Sequence, residues 1–232
     1  MPAALKELGL ALARLFPARK GPDWFILLSA LVLQILWWQM GRPYAHSLPD
    51  AVMAVAWTVV LLFLVPLLLA RIGRIDLADS GFGPGDARFG GNILLFGAPI
   101  VVLLAWFATA DPVFQAEYPW PGTVIAASPV LLLGWSVTYA GYYLAYEFFY
   151  RGFLQGALAR RWGIVPAIWL QTVASALIHL GKPFPELIAS IPAGLVFGVI
   201  AHRSRSVLWP FLLHLLLGIA TDMFSLLRQG AL

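Results

Sequence analysis

The sequence contains no cysteine among its 232 residues. A disulfide, a thiolate nucleophile and a cysteine-ligated metal are therefore excluded. Charge is scarce as well, because Asp, Glu, Lys and Arg make up 11% of the chain against 61% hydrophobic residues. A soluble domain usually carries about 25% charged residues, so this composition indicates an integral membrane protein. The net charge of +4 suits an anionic lipid leaflet, and we expect no nucleic-acid partner.

Two hydrolase motifs are also missing from the sequence. There is no Gly-x-Ser-x-Gly segment, which would present a serine nucleophile. There is no His-Glu-x-x-His segment, which would place two zinc ligands on one helix face. The first absence disfavours a serine hydrolase, and the second gives no support to a zinc metalloprotease of the His-Glu-x-x-His type.

Seven apolar segments are about long enough to cross a bilayer as helices. They cover roughly residues 24–40, 51–70, 91–109, 124–160, 164–180, 185–201 and 207–227, with a kink expected at Pro66. Residues 1–20 place leucines at helical spacing among basic residues, which predicts an amphipathic helix on the membrane surface. The predicted fold is all-α: a polytopic integral membrane helical bundle of about seven transmembrane helices plus this N-terminal helix, in a single domain, residues 1–232.

Lysine and arginine are distributed unevenly between the two sides of this bundle. If the N-terminus is cytoplasmic, eleven of them collect on that side and three on the other, which agrees with the positive-inside rule. We therefore expect a multi-pass protein of the cell membrane with a cytoplasmic N-terminus. The eleven are Lys6, Arg14, Arg19, Lys20, Arg71, Arg74, Arg88, Arg160, Arg161, Arg203 and Arg205, and the three are Arg42, Lys182 and Arg228.

Several ionisable residues fall inside these apolar segments, at a cost of about 2.5–3.5 kcal/mol each for a charged group. Glu147 and Arg151 are four residues apart, so they can pair on one helix face. One interpretation is a neutralised structural pair, and the other is a functional site. His179 near the end of the fifth segment and His214 in the seventh favour the second. Asp222 follows His214 by two turns on the same face.

This set of residues could carry out hydrolysis. A carboxylate and an imidazole can together activate a water molecule, and a second imidazole can donate a hydrogen bond to a developing oxyanion. Glu147, His179 and His214 are also suitable ligands for a divalent metal such as zinc, although the sequence requires no cofactor.

The motifs resemble those of the CPBP intramembrane proteases, the family of CAAX prenyl endopeptidases and bacteriocin-processing proteins. The resemblance rests on Glu147-x-x-x-Arg151-Gly152, on Ala174-x-x-x-x-His179 and on His214 in a late helix. It covers about residues 124–227, which would form the catalytic core, and Arg151-Gly152-Phe153-Leu154 is similar to the bacterial branch. The resemblance implies an endopeptidase that acts on membrane-associated, hydrophobic or prenylated peptide and protein substrates in the lipid bilayer.

The sequence departs from the family pattern at two positions. The first motif is usually Glu-Glu-x-x-x-Arg, and Tyr146 occupies the place of its first Glu. The third motif is usually His-x-x-x-Asn or His-x-x-x-Asp, and Gly218 occupies its last place. The single asparagine of the chain lies far upstream, and Asp222, one turn beyond Gly218, is the nearest substitute.

The resemblance and its departures leave three hypotheses. In an active protease, Glu147 acts as general base with His179, His214 donates to the oxyanion, and Tyr146 adds a phenolic donor, while Arg151 supports Glu147. In a catalytically weakened relative, the fold serves as a membrane binding or scaffold protein. In a proton-coupled transporter the same residues would relay protons, but the sequence shows no inverted repeat of the kind that such proteins use.

Overall fold

The structure is a computed structural model that describes residues 23–43, 46–73, 75, 77 and 81–232. These residues form helices and connecting turns, with no strand among them, which confirms the predicted all-α membrane fold. The predicted amphipathic helix of residues 1–20 lies outside the described residues.

Eight helices follow one another along the described chain. They are α1 (Asp23–Met40), α2 (Leu48–Ile72), α3 (Ala87–Ala108), the short α4 (Pro112–Glu117), α5 (129–162), α6 (Ile164–Leu177), α7 (Phe184–Ser204) and α8 (Leu208–Arg228). Five of them, α1, α2, α3, α7 and α8, are long and apolar enough to cross a membrane, and α6 is a shorter apolar helix. The multi-pass architecture follows from these five, whereas the count of seven crossings stays a prediction.

Two predicted helix boundaries are wrong. The fourth apolar segment does not begin as an α-helix near Val124, because residues Gly122–Ala127 form a 3-10 helix. Ser128 then caps α5 by accepting a hydrogen bond from the backbone N–H of Leu131, and Pro129 follows at the first helical position. The fifth segment ends as an α-helix at Leu177, so His179 lies in the loop 178–183 rather than inside a helix.

Two helices contain π-helical turns, in which each N–H bonds five residues back instead of four. In α2 the π turn covers Val60–Leu64, just before Pro66, the residue at which the sequence predicts a kink. Proline lacks an N–H and its ring crowds the preceding turn, and the widened turn accommodates both effects. In α5 the π turn covers Phe148–Leu154, directly after Glu147, and all seven of its residues are buried.

Helix α7 approaches its neighbours closely at two glycines, Gly194 and Gly198. A Cβ at Gly194 would lie 2.9 Å from the Thr172 side chain on α6. The Gly194 carbonyl accepts a hydrogen bond from the Gln171 amide, and the Gly198 carbonyl accepts one from the Gln155 amide of α5, each at 2.9 Å. Buried amides in the membrane must find hydrogen-bond partners. The close approach at the glycines lets the side-chain amides of α5 and α6 donate to backbone carbonyls of α7.

Substituting Gly198 by alanine should lower the thermal stability of the purified protein in detergent. The new Cβ would lie 2.8 Å from the Gln171 Nε2 and 2.9 Å from the Gln155 Oε1, so both amides would have to move. We expect a loss of about 1–3 kcal/mol from such overpacking. Gly134→Ala is the matched control, because a Cβ on that α5 glycine meets nothing within 4 Å. Equal melting temperatures for the two variants would contradict this close packing.

The start of α8 is held by the loop of residues 81–86. The backbone N–H of Val207 donates to the Gly81 carbonyl at 3.0 Å, and the Ser206 hydroxyl donates to the Gly83 carbonyl at 2.6 Å. Phe82 stacks on Phe148 of the α5 π turn, with ring centroids 5.1 Å apart. This loop therefore fixes the helix that carries His214 relative to α5.

Candidate active site

Glu147, the last α-helical residue before the π turn of α5, is fully buried. Its Oε1 atom lies 2.6 Å from the Nδ1 of His214 on α8. Its Oε2 atom lies 3.3 Å from the Nε of Arg151. One carboxylate is thus shared between an imidazole from another helix and a guanidinium from the next turn of its own helix.

Arg151 lies on the π turn and is 4% exposed. Its guanidinium carbon is 5.4 Å from the ring centre of Tyr146 and 5.8 Å from those of Tyr150 and Phe197. Such contacts stabilise a desolvated cation by about 2 kcal/mol or more. Its Nη1 atom has no hydrogen-bond partner among the described residues. The predicted Glu147–Arg151 pair therefore exists, surrounded by aromatic faces.

Tyr146 stands between the two histidines predicted for the site. Its ring centroid is 5.2 Å from that of His214 and 6.3 Å from that of His179. Its hydroxyl donates to the Ser175 carbonyl at 3.3 Å. Tyr146 and four of the other five predicted residues therefore form one cluster, although His179 reaches the cluster through Tyr146 and not through Glu147.

His179 is held in one orientation by the end of α6. Its Nδ1 lies 2.9 Å from the Ser175 carbonyl, which can only accept, so Nδ1 carries the hydrogen and Nε2 of the neutral ring is an acceptor. Burial lowers the pKa of His179 to about 4, more than Glu186 raises it. The imidazole is therefore neutral near pH 7. Its Nε2 lies 3.7 Å from an oxygen of Glu186.

A polar network that the sequence reasoning missed surrounds His179. The Tyr118 hydroxyl donates to Glu186 at 2.9 Å, and the Lys182 ammonium lies 3.6 Å from the same carboxylate. Burial, and next the charge of Glu186, raise the pKa of Tyr118, so its hydroxyl stays protonated. The sequence signal that could have found this network is Glu186, a carboxylate in the first turn of an apolar helix.

Asp222 is not part of the cluster. Its Oδ2 accepts a hydrogen bond from the Trp135 indole at 2.7 Å, two helical turns beyond His214, and its side chain is 1% exposed. The space beside Gly218, where the sequence lacks the expected side chain, is filled by Tyr143 of α5. The Tyr143 ring centroid lies 4.5 Å from that of His214. Sequence reasoning missed Tyr143, and its one signal is the run of tyrosines along α5.

The three residues considered as metal ligands do not converge. Within the described residues there is no group of three or more His, Asp and Glu side chains placed to hold a metal ion. Glu147 and His214 contact each other, whereas His179 bonds to the α6 backbone. The chemistry available in this arrangement is that of a carboxylate that orients an imidazole.

The fold and the site together define a class of protein: a polytopic membrane protein with a carboxylate–imidazole pair buried between its helices. The family model described as type II CAAX prenyl endopeptidase Rce1-like matches residues 127–220. This segment is therefore similar to that family, which agrees with the resemblance predicted from the motifs. The matched segment contains Tyr146, Glu147, Arg151, His179 and His214 and ends before Asp222. No curated protein and no solved structure matches the chain significantly.

Proposed function

We propose that this protein is an intramembrane endopeptidase that hydrolyses peptide bonds in membrane-associated, prenylated substrates of the CAAX type. The observation that carries the proposal is the 2.6 Å hydrogen bond between Glu147 and His214 inside the segment that the family model matches. A buried carboxylate bonded to one nitrogen of an imidazole leaves the other nitrogen free to exchange protons. The family relationship supports a membrane protease as the class of enzyme.

In this proposal His214 is the general base. Its Nδ1 donates to the carboxylate of Glu147, so Nε2 carries the lone pair that can accept a proton. The side chain of His214 is 15% exposed, whereas that of Glu147 is 0% exposed. Water can therefore reach the imidazole more readily than the carboxylate. This assignment differs from the sequence-based expectation, in which Glu147 with His179 activates water and His214 donates to the oxyanion.

The proposed reaction is a hydrolysis in two proton transfers. His214 Nε2 takes one proton from water as the water oxygen attacks the carbonyl carbon of the peptide bond. Glu147 stabilises the imidazolium that forms, and Arg151 holds Glu147 in place. The C–N bond then breaks, the leaving amine receives the proton from His214, and the new carboxyl group keeps the water oxygen.

The two remaining residues of the cluster have positioning roles in this proposal. Tyr146 packs between the histidines and separates them. His179 presents the acceptor Nε2 of a neutral ring, which can bind a peptide N–H of the substrate. Asp222, bonded to Trp135, takes part in no step.

The membrane setting limits where the substrate comes from. Large apolar side chains are exposed along the spanning helices, among them Leu95, Phe96 and Phe107 on α3. Such surfaces are compatible with lipid contact, and a prenyl chain would hold a peptide at the same bilayer. We propose, from the distribution of Lys and Arg, that the protein lies in the cell membrane with its N-terminus in the cytoplasm.

The proposal is tested by cleavage of a quenched, prenylated CAAX-type peptide by the purified protein in liposomes. We expect cleavage by the wild type, slower cleavage of the same peptide without the prenyl group, and none detectable with His214→Ala. The matched control is His202→Ala, because His202 is exposed at the end of α7 and its loss should leave the rate unchanged.

Absence of cleavage by the wild type, with retained binding of the same prenylated peptide, would favour the second hypothesis of a binding or scaffold protein. Equal rates for the two histidine variants would show that His214 is not the base.

A further inference from the structure

Position 218 of α8 must be a glycine, because a side chain from another helix occupies the space beside it. A Cβ built at this position would overlap the hydroxyl oxygen of Tyr143 and two of its ring carbons. Gly218 and Tyr143 are both buried, at the contact between α8 and α5. The phenol therefore occupies the volume into which a side chain at position 218 would extend.

The position of that hydroxyl relative to His214 is set by helix geometry. Residues 214 and 218 are four apart on α8, so they lie on the same face one turn from each other. The Tyr143 ring lies beside the His214 ring, at 4.5 Å between centroids. A hydroxyl over Gly218 is thus a polar group next to the proposed base, on the face of α8 that His214 shares.

We propose that the Tyr143 hydroxyl donates a hydrogen bond to the carbonyl oxygen of the scissile peptide bond, as the oxyanion donor of the site. This inference rests on the proposed peptidase function, in which His214 acts as base and is no longer the oxyanion donor. A protonated phenol needs no metal and can stabilise the charge that develops on that oxygen. It also gives a physical account of Gly218 in the third motif, because the Tyr143 phenol of α5 occupies the space of a side chain at that position.

The test removes the hydroxyl and leaves the ring. Tyr143→Phe should lower kcat on the prenylated peptide by about 10²- to 10³-fold, as the loss of one oxyanion donor does, with KM and melting temperature unchanged. Tyr142→Phe is the matched control, since Tyr142 is a buried neighbour on α5 whose ring centroid lies 5.2 Å from that of Tyr143. Its kcat should equal that of the wild type.

A second variant displaces the same hydroxyl by changing the α8 residue that it packs against. Gly218→Ala should displace the phenol and lower kcat to a similar extent. The double variant Gly218→Ala, Tyr143→Phe should lose little more kcat than either single variant, because all three lack the same hydrogen bond.

The outcomes separate this inference from the proposed function. If the wild type cleaves the peptide and Tyr143→Phe cleaves it with unchanged kcat, the inference is wrong and the peptidase function stands. Losses in kcat that add up in the double variant would also overturn it, since they would mean that the two residues act independently. If the wild type cleaves no peptide, both the inference and the function fail.

Discussion

Replacing Glu147 by glutamine should lower kcat/KM for the prenylated peptide by about two to four orders of magnitude, because the general base His214 loses the carboxylate that stabilises its protonated form. Glutamine keeps the size of the side chain and can still accept from the Nδ1 of His214, but it cannot stabilise an imidazolium with a negative charge. The protein should remain folded in detergent, because glutamine fills the same buried space, but it should melt at a lower temperature, because Arg151 loses its charged partner. The measurement is steady-state hydrolysis in liposomes beside a melting curve.

Glu117→Gln is the matched control for that experiment. Glu117 is a partly exposed carboxylate, 3.5 Å from the Lys182 ammonium, and neither residue takes part in the proposed reaction. Its substitution should leave the rate unchanged. If Glu147→Gln unfolds the protein, the structural interpretation of the pair gains support; if it cleaves at the wild-type rate, the carboxylate has no part in catalysis.

Replacing Arg151 by methionine should destabilise the protein by about 3–5 kcal/mol, the usual cost of removing one partner from a buried ion pair. Methionine fills much of the same volume, so the loss comes from the charge. Glu147 would keep only its hydrogen bond with His214 and would remain fully buried. Denaturant or thermal unfolding in one detergent measures the effect.

The double variant Glu147→Gln, Arg151→Met serves as the control for charge. With both charges removed, no buried ion is left unpaired, and such replacements are often close to neutral. We therefore expect the double variant to be more stable than Arg151→Met alone. A double variant that is less stable than either single one would mean that the pair contributes through shape and not through charge.

The sequence predicts the helices well because the bilayer demands long apolar segments, and α1, α3, α7 and α8 lie within a few residues of their predicted bounds. It also predicts the Glu147–Arg151 pair, since a spacing of four residues places both side chains on the same face of one helix. It does not predict which histidine bonds to Glu147, because periodicity carries no information about how helices far apart in sequence are placed. Spacing alone leaves His179 and His214 equivalent, and the packing of α8 against α5 selects His214.

The sequence does not predict the contacts of Asp222 and Tyr143, for related reasons. Asp222 shares a helix face with His214, which made it a reasonable substitute for the missing motif residue. In the structure, however, the Trp135 indole of α5 holds it two turns away. Tyr143 precedes the first motif by three residues and matches no motif position, so only the three-dimensional contact with Gly218 reveals it.

The π turn of α5 has a consequence for how this segment can change in length. Glu147 precedes the turn, whereas Gln155, which binds the Gly198 carbonyl, follows it. Each residue of an α-helix turns the chain by about 100°, whereas a π turn takes up one residue more per turn, so the turn lets Glu147 and Gln155 both face their partners. Losing one residue within 148–154 could return the turn to an α-helical one and leave residues 155–162 facing nearly the same way. A further inserted residue would rotate residues 155–162 away from their partners, so over evolution this segment should tolerate the loss of one residue better than a gain.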